Sequence, residues 1–233
     1  MTFVKFVYKV ISVWNFIMHN TVKNLIYIED LIKSKVNHDK ITKIIAVSKT
    51  FPIENILPLI EYGHRHYGEN KVQEALDKWT DIKNANHSIQ LHLIGRLQTN
   101  KVKFALKIFD YIHSLDSEKL ANKIADEQVK QGKKPKIFIQ VNIGNEEQKS
   151  GINKDKLGDF YKFCKILNLD IVGTMCIPPN DGNTEKYFSE MSYINQQLNF
   201  KELSMGMSED YLIAIKNNAT HVRVGSKIFG SRS

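Results

Sequence analysis

Between residues 44 and 225 the chain repeats one pattern eight times: a short run of β-formers, then a longer stretch of helical period. The runs are IIAVSK (44–49), HRHYGEN (64–70), LHLIG (91–95), YIHSLD (111–116), IFIQVN (137–142), IVGTMC (171–176), ELSMG (202–206) and HVRVG (221–225). Between them, residues 118–132 place Leu120, Ala121, Ile124 and Ala125 on one helical face. Residues 155–169 do the same with Leu157, Phe160, Tyr161, Cys164 and Leu167. Regular strand–helix alternation calls for parallel βαβ units. Eight evenly spaced units favour closure over an open doubly wound sheet, so the fold class expected is α/β, a single (β/α)8 TIM-type barrel. An extra N-terminal helix precedes it, with Val22, Leu25, Ile28, Ile32 and Val36 on one face.

The barrel is expected to occupy residues 18–233 as one domain. Residues 1–17, MTFVKFVYKVISVWNFI, read as an extension outside it. They are too short and too charged to span a membrane, and they lack a small-residue cleavage site. The two cysteines, Cys164 and Cys176, form no C-x-x-C pair, which argues against a zinc site and suits a reducing, cytoplasmic setting. Net charge is +8, from 33 basic and 25 acidic residues. The lysines are scattered among acids, so they read as a solvated surface with a general attraction for anions. No basic motif with interleaved aromatics is present, and no nucleic-acid partner is expected.

In such a barrel the residues just past each strand converge on one face and form the ligand site. Lys49 ends the apolar run IIAVSK. A lysine there either reaches solvent along its stem or, desolvated, forms a Schiff base with a carbonyl. After the seventh run, Gly206 allows a close turn, and Ser208 is expected to cap the next helix with Glu209 and Asp210 in its first turn. After the eighth, Gly225 and Ser226 open the last helix. Helix starts at these two positions are the usual phosphate cradle of the barrel. Arg223, two residues before Gly225, points from the last strand into the barrel mouth or the neighbouring layer. It either pairs with a carboxylate structurally or faces the ring nitrogen of pyridoxal phosphate (PLP), where the partner is an Asp or an Arg. A strand-end lysine, a phosphate cradle and a cation for the ring together describe a PLP site.

The segments AVSKT (46–50), YGENKVQEALDKW (67–79), LHLIGRLQTNKVK (91–103), IHSLD (112–116), IQVNIGNEEQKSGI (139–152), LSMGMSEDYLIAI (203–215) and ATHVRVGSKIFGSR (219–232) occur in that order. On these motifs the chain resembles the pyridoxal phosphate homeostasis proteins, single-domain relatives of the alanine racemase barrel. The resemblance implies PLP held covalently on Lys49, a cradle of Met207, Ser208, Gly225 and Ser226, and Arg223 at the pyridine nitrogen. It places Asn70, Asn142 and Gly206 near the cofactor. Lys71 and Arg96 depart from it, standing where many relatives have Tyr and His.

The expected function is a cytoplasmic PLP carrier in vitamin B6 homeostasis, without strong catalysis and with no catalytic residue or metal assigned. PLP-requiring apo-enzymes are expected as partners, with no membrane partner, and the chain is expected to be a monomer. Racemisation needs a second acid/base opposite the lysine. In the racemases that group comes from a β-domain after the barrel and from the partner subunit; with eight residues following Gly225, no such domain is expected here. An arginine at the ring nitrogen also weakens the ring as an electron sink. The alternatives are a weak racemase-like amino-acid enzyme and a phosphosugar-binding barrel with a carbonyl-attacking lysine.

Overall fold

The computed structural model of the protein describes residues 18–35 and 42–231. Val36, expected on the first helix face, and residues 1–17 lie outside the described residues, as does Arg232. The eight barrel strands are β1 (Lys43–Val47), β2 (His66–Glu69), β3 (Gln90–Leu93), β4 (Tyr111–Leu115), β5 (Lys136–Asn142), β7 (Asp170–Met175), β8 (Glu202–Met207) and β9 (His221–Val224). All neighbours pair in parallel, β4 joins β5, and β1 joins β9 through Ile44↔Val222 and Ala46↔Val224. The ring is closed, as the eightfold alternation implied. Each strand lies within about two residues of its run. A two-residue strand, β6 (Ile152–Asn153), forms a spur on β5 and has no counterpart in the sequence reading.

The helices are α1 (Asn20–Lys35), α2 (Leu57–Tyr62), α3 (Val72–Ala85), α4 (Val102–Ile108), α5 (Glu118–Gln131), α6 (Leu157–Ile166), α7 (Thr184–Gln197), α8 (Tyr211–Lys216) and α9 (Ser226–Phe229). Their apolar faces meet the sheet as the spacing predicts. Val22, Leu25 and Ile28 of α1, Leu120, Ala121 and Ile124 of α5, and Leu157, Phe160 and Cys164 of α6 are buried. The Ser117 hydroxyl accepts the Leu120 N–H at the start of α5, and Gly132 ends the helix at φ 63°. The stretch expected as one helix over 155–169 is shorter: a 3-10 turn over Lys154–Lys156 leads into α6, and Asn168 turns left-handed at φ 55°. At the seam, Asn24 Nδ2 of α1 donates to Ile228 O of α9 at 3.0 Å.

The main core lies between the ring and its helices. A second, small apolar cluster of Tyr111, Phe138 and Met175 stands apart from it. Four histidines, His66, His92, His113 and His221, share that space through ring contacts and hydrogen bonds. Barrels of this type usually fill their interior with branched aliphatic layers. Here imidazoles take part of that volume, and their buried nitrogens need partners. Among the described residues no helix is long and apolar enough to cross a membrane, and no cluster of side chains could hold a metal ion.

Candidate functional site

A cavity of about 660 Å³ opens where the strands end. Lys49, Asn70, Met207, Ser208, Arg223, Gly225 and Ser226 all line it. The ends of β1, β2, β8 and β9 and the loops after them therefore bring together seven of the nine site residues expected from the sequence. Val47, Phe51, Ile94 and Ile177 give it apolar walls.

Two expected residues fall outside that lining. Asn142 folds onto the loop after β5: its Oδ1 accepts the Glu146 N–H at 3.1 Å and its Nδ2 donates to Glu146 O at 2.8 Å. Gly206 lies within β8 at φ 88°, and a Cβ there would come 2.5 Å from Ala214 Cβ. Its role is close packing of β8 against α8. Lys71 and Arg96 are exposed and do not line the cavity.

Ser208 is not the cap of the following helix. That helix, α8, starts at Tyr211, and Asp210 stands at its N-cap. The cause is local. Asp210 Oδ1 accepts the Met207 N–H, and the Asp210 N–H returns to Met207 O at 3.1 Å. This closes a turn over 207–210 that delays the helix. Ser208 Oγ instead accepts the Gly225 N–H at 3.3 Å, tying the two loops of the cradle together. Gly225 and Ser226 do open α9, as expected.

Arg223 is 5% exposed. Its Nη1 donates to Ser204 Oγ at 2.7 Å and its Nη2 to Cys176 O at 2.9 Å, so neutral oxygens, not a carboxylate, receive its hydrogen bonds. Burial lowers its pKa from the usual value. Burial also pushes the Cys176 thiol up to about 12. A structural arginine at this depth is ordinarily paired with a carboxylate; this one lines the cavity and gives its hydrogen bonds to neutral oxygens. Neither Ser204 nor Cys176 was singled out as an Arg223 partner by the sequence. Their strands alternate inward and outward, and that period could have placed Ser204 on the Arg223 side.

The chain around Lys49 is held in a strained turn. Thr50, β-branched, sits at φ 68°, a conformation that costs about 1–3 kcal/mol. Its N–H donates to Glu74 Oε1 at 2.7 Å. Lys78 Nζ donates to Ser48 O (3.0 Å), Glu69 Oε1 (3.1 Å) and Glu74 Oε1 (3.1 Å). Glu69 is fully buried, and its Oε1 also accepts from Ser48 Oγ (2.8 Å) and Trp79 Nε1 (3.0 Å). Burial alone would raise the Glu74 pKa, but the Thr50 N–H and the Lys78 ammonium outweigh it and hold it low. Residues on both sides of Lys49 are thus fastened to α3. The Glu74–Lys78 spacing of four was the available signal for this clamp.

A family model described as the alanine racemase N-terminal domain matches residues 29–233. The pyridoxal phosphate homeostasis protein of Aquifex aeolicus is 37% identical over 200 residues, which is 82% of this chain and 87% of that protein. The chain belongs to the pyridoxal phosphate homeostasis protein family. A solved structure of the family member PipY from Synechococcus elongatus, without PLP, superposes with a TM-score of 0.80 at 31% identity, covering 91% of this chain and all of that one. PipY with PLP bound gives 0.76 at 32% identity, over 87% and 99% of the two chains. Alanine racemase from Bartonella henselae, at 18% identity and a TM-score of 0.68, shares the fold over 91% of this chain and 60% of its own.

Proposed function

We propose that this chain binds pyridoxal 5'-phosphate at the strand-end cavity and serves as a non-catalytic carrier in vitamin B6 homeostasis. The observation that carries this is the convergence of Lys49, Arg223 and the Met207–Ser208 and Gly225–Ser226 loops on one cavity. The residues fit the group. Asn70 Oδ1 is buried in this region without a hydrogen-bond partner, which a bound ligand's donor or water would satisfy. Arg223 offers a donor set suited to a neutral ring nitrogen. The relatives' names, and PLP bound in PipY, support the same group.

When bound, PLP supplies an aldehyde that a lysine amine captures with loss of water, and a phosphate that anchors it. In this chain Lys49 supplies the amine, from a turn that α3 holds still. Ser208, Gly225 and Ser226 would hold the phosphate, with the start of α9 offering backbone N–H groups that lack intrahelical partners. Arg223, as an obligate donor, would face the ring nitrogen and disfavour its protonation. Val47, Phe51, Ile94 and Ile177 shield the ring from water. Apart from Lys49, the titratable groups of the lining are Glu209, Asp210 and Arg223. The Asp210 carboxylate is engaged with the Met207 N–H. An arginine at the ring nitrogen and a committed carboxylate support carriage over proton abstraction.

The test is the visible spectrum of protein incubated with PLP, before and after borohydride, with a mass measurement on the Lys49 peptide. A visible band that borohydride fixes to Lys49, absent in Lys49→Ala, is expected. Label fixed to a different lysine in the wild type refutes the assignment. Rapid α-proton exchange of L-alanine in heavy water, lost in Lys49→Ala, would show an enzyme in place of a carrier.

A further inference from the structure

A line of hydrogen bonds crosses the barrel interior and ends on Arg223. His66 Nδ1 lies 3.0 Å from His92 Nε2, and His92 Nδ1 lies 2.9 Å from His113 Nε2. His113 Nδ1 lies 2.9 Å from Ser204 Oγ, which receives Arg223 Nη1 at 2.7 Å. The line runs along β2, β3 and β4, crosses to β8 and finishes on β9 beneath the cavity. His92, His113 and Ser204 are fully buried, and His66 is half-buried.

Every link needs one hydrogen and one lone pair. A guanidinium only donates, so Ser204 Oγ accepts from Arg223. The hydroxyl's own hydrogen then goes to His113 Nδ1, the other hydrogen-bonding group at that oxygen. If His113 donated instead, the serine hydrogen would be buried without an acceptor. His113 therefore carries its hydrogen on Nε2 and donates it to His92 Nδ1. His92 in turn carries Nε2–H and donates to His66 Nδ1, which leaves His66 with Nε2–H. The direction of the whole line follows from the one group in it that has no lone pair to offer. Burial, with Arg223 beside His113 and Lys43 and Lys136 near His66, keeps the three rings neutral.

We propose that His113, backed by His92 and His66, is a positioning residue for Arg223: it holds the Ser204 hydroxyl hydrogen so that a lone pair faces the guanidinium. This rests on the reading that Arg223 meets the ring nitrogen of PLP. Without the acceptor on His113 the hydroxyl rotates, and Arg223 keeps only Cys176 O as a fixed partner.

Two measurements decide it. In ligand-free protein at pH 7, two-bond proton–nitrogen NMR spectra of the histidine rings should show His66, His92 and His113 neutral with hydrogen on Nε2. Hydrogen on Nδ1, or an imidazolium, in any of the three overturns the directed line. In protein loaded with PLP, His113→Leu should weaken binding by about two- to tenfold, the worth of one hydrogen bond, and change how the visible band responds to pH. His113→Asn, whose side-chain oxygen can take the Ser204 hydrogen, should restore both. An unchanged band and affinity in His113→Leu refutes the positioning role. Failure of wild-type protein to take up PLP would refute the proposed function, and the ring spectra would still decide the line itself. Should His113→Leu not fold, His113→Phe, which keeps a ring in that volume but has no acceptor for the Ser204 hydrogen, is read the same way.

Discussion

Replacing Lys78 by methionine removes one ammonium from a buried crossing of three acceptors. Methionine keeps the length and apolar stem, so the packing of α3 changes little. What remains is Glu69, fully buried, with its carboxylate facing no cation. Breaking one side of a buried ion pair costs about 3–5 kcal/mol, because the partner charge stays desolvated. For a domain of this size about 1 kcal/mol shifts Tm by roughly 2–4 °C, so Lys78→Met should melt about 6–20 °C lower. Glu69→Gln removes that charge but keeps a side-chain oxygen for Ser48 Oγ and Trp79 Nε1. The double variant Glu69→Gln/Lys78→Met should therefore be more stable than Lys78→Met alone, with a coupling of about 0.5–3 kcal/mol. Thermal melts by circular dichroism on the four proteins of the cycle give both quantities. A fall of less than about 2 °C in Lys78→Met, or strict additivity, would refute the claim that this pair clamps the Lys49 turn.

Other expectations follow from single features. Gly206→Ala places a side chain at φ 88° and against Ala214, and should cost at least about 1–3 kcal/mol in urea denaturation; an unchanged midpoint would contradict the packing. Burial holds His64 and His66 down at about 4, with His64, Lys43 and Lys136 adding to it at His66, and it holds His92, His113 and His221 well below 6.5. The unfolded chain then binds more protons between pH 6.5 and 4, so stability is complete above about pH 6.5 and is lost toward pH 4. Tm should drop steadily across that window; a flat profile refutes it. Protein starting at Met18 should melt within about 2 °C of the full chain, because Met18 packs on the core and α1 is anchored to α9; a larger loss would mean that residues 1–17 pack on the barrel.

The barrel was legible because its strands are short apolar runs at regular spacing, a local property that composition along the chain displays. The convergence of Lys49, Asn70, Ser208, Arg223 and Ser226 was legible for the same reason: in a closed barrel, position relative to a strand end determines location. The histidine line was not. Its links join residues 26, 21 and 91 apart, across strands that are neighbours in the ring or opposite in it. The trace it left was a histidine inside three of the eight β runs, His66, His92 and His113, at positions where an apolar residue would be ordinary. The late start of α8 was hidden because a Ser followed by two acids is a common helix opening. The competing Asp210-to-Met207 hydrogen bond appears only once the chain has turned.

The cavity is assembled across the seam of the ring. Lys49 comes from the first strand and Arg223, Gly225 and Ser226 from the last, about 175 residues of chain apart, at a distance that only β1–β9 pairing closes. During synthesis, Lys49 leaves the ribosome long before Arg223, Gly225 and Ser226, which line the same cavity, exist. An emerging chain therefore carries Lys49 without the cavity, which is complete only when β9 pairs with β1. A ligand held by residues from both ends of the ring would bind only the closed barrel, and would stabilise it against opening at its seam.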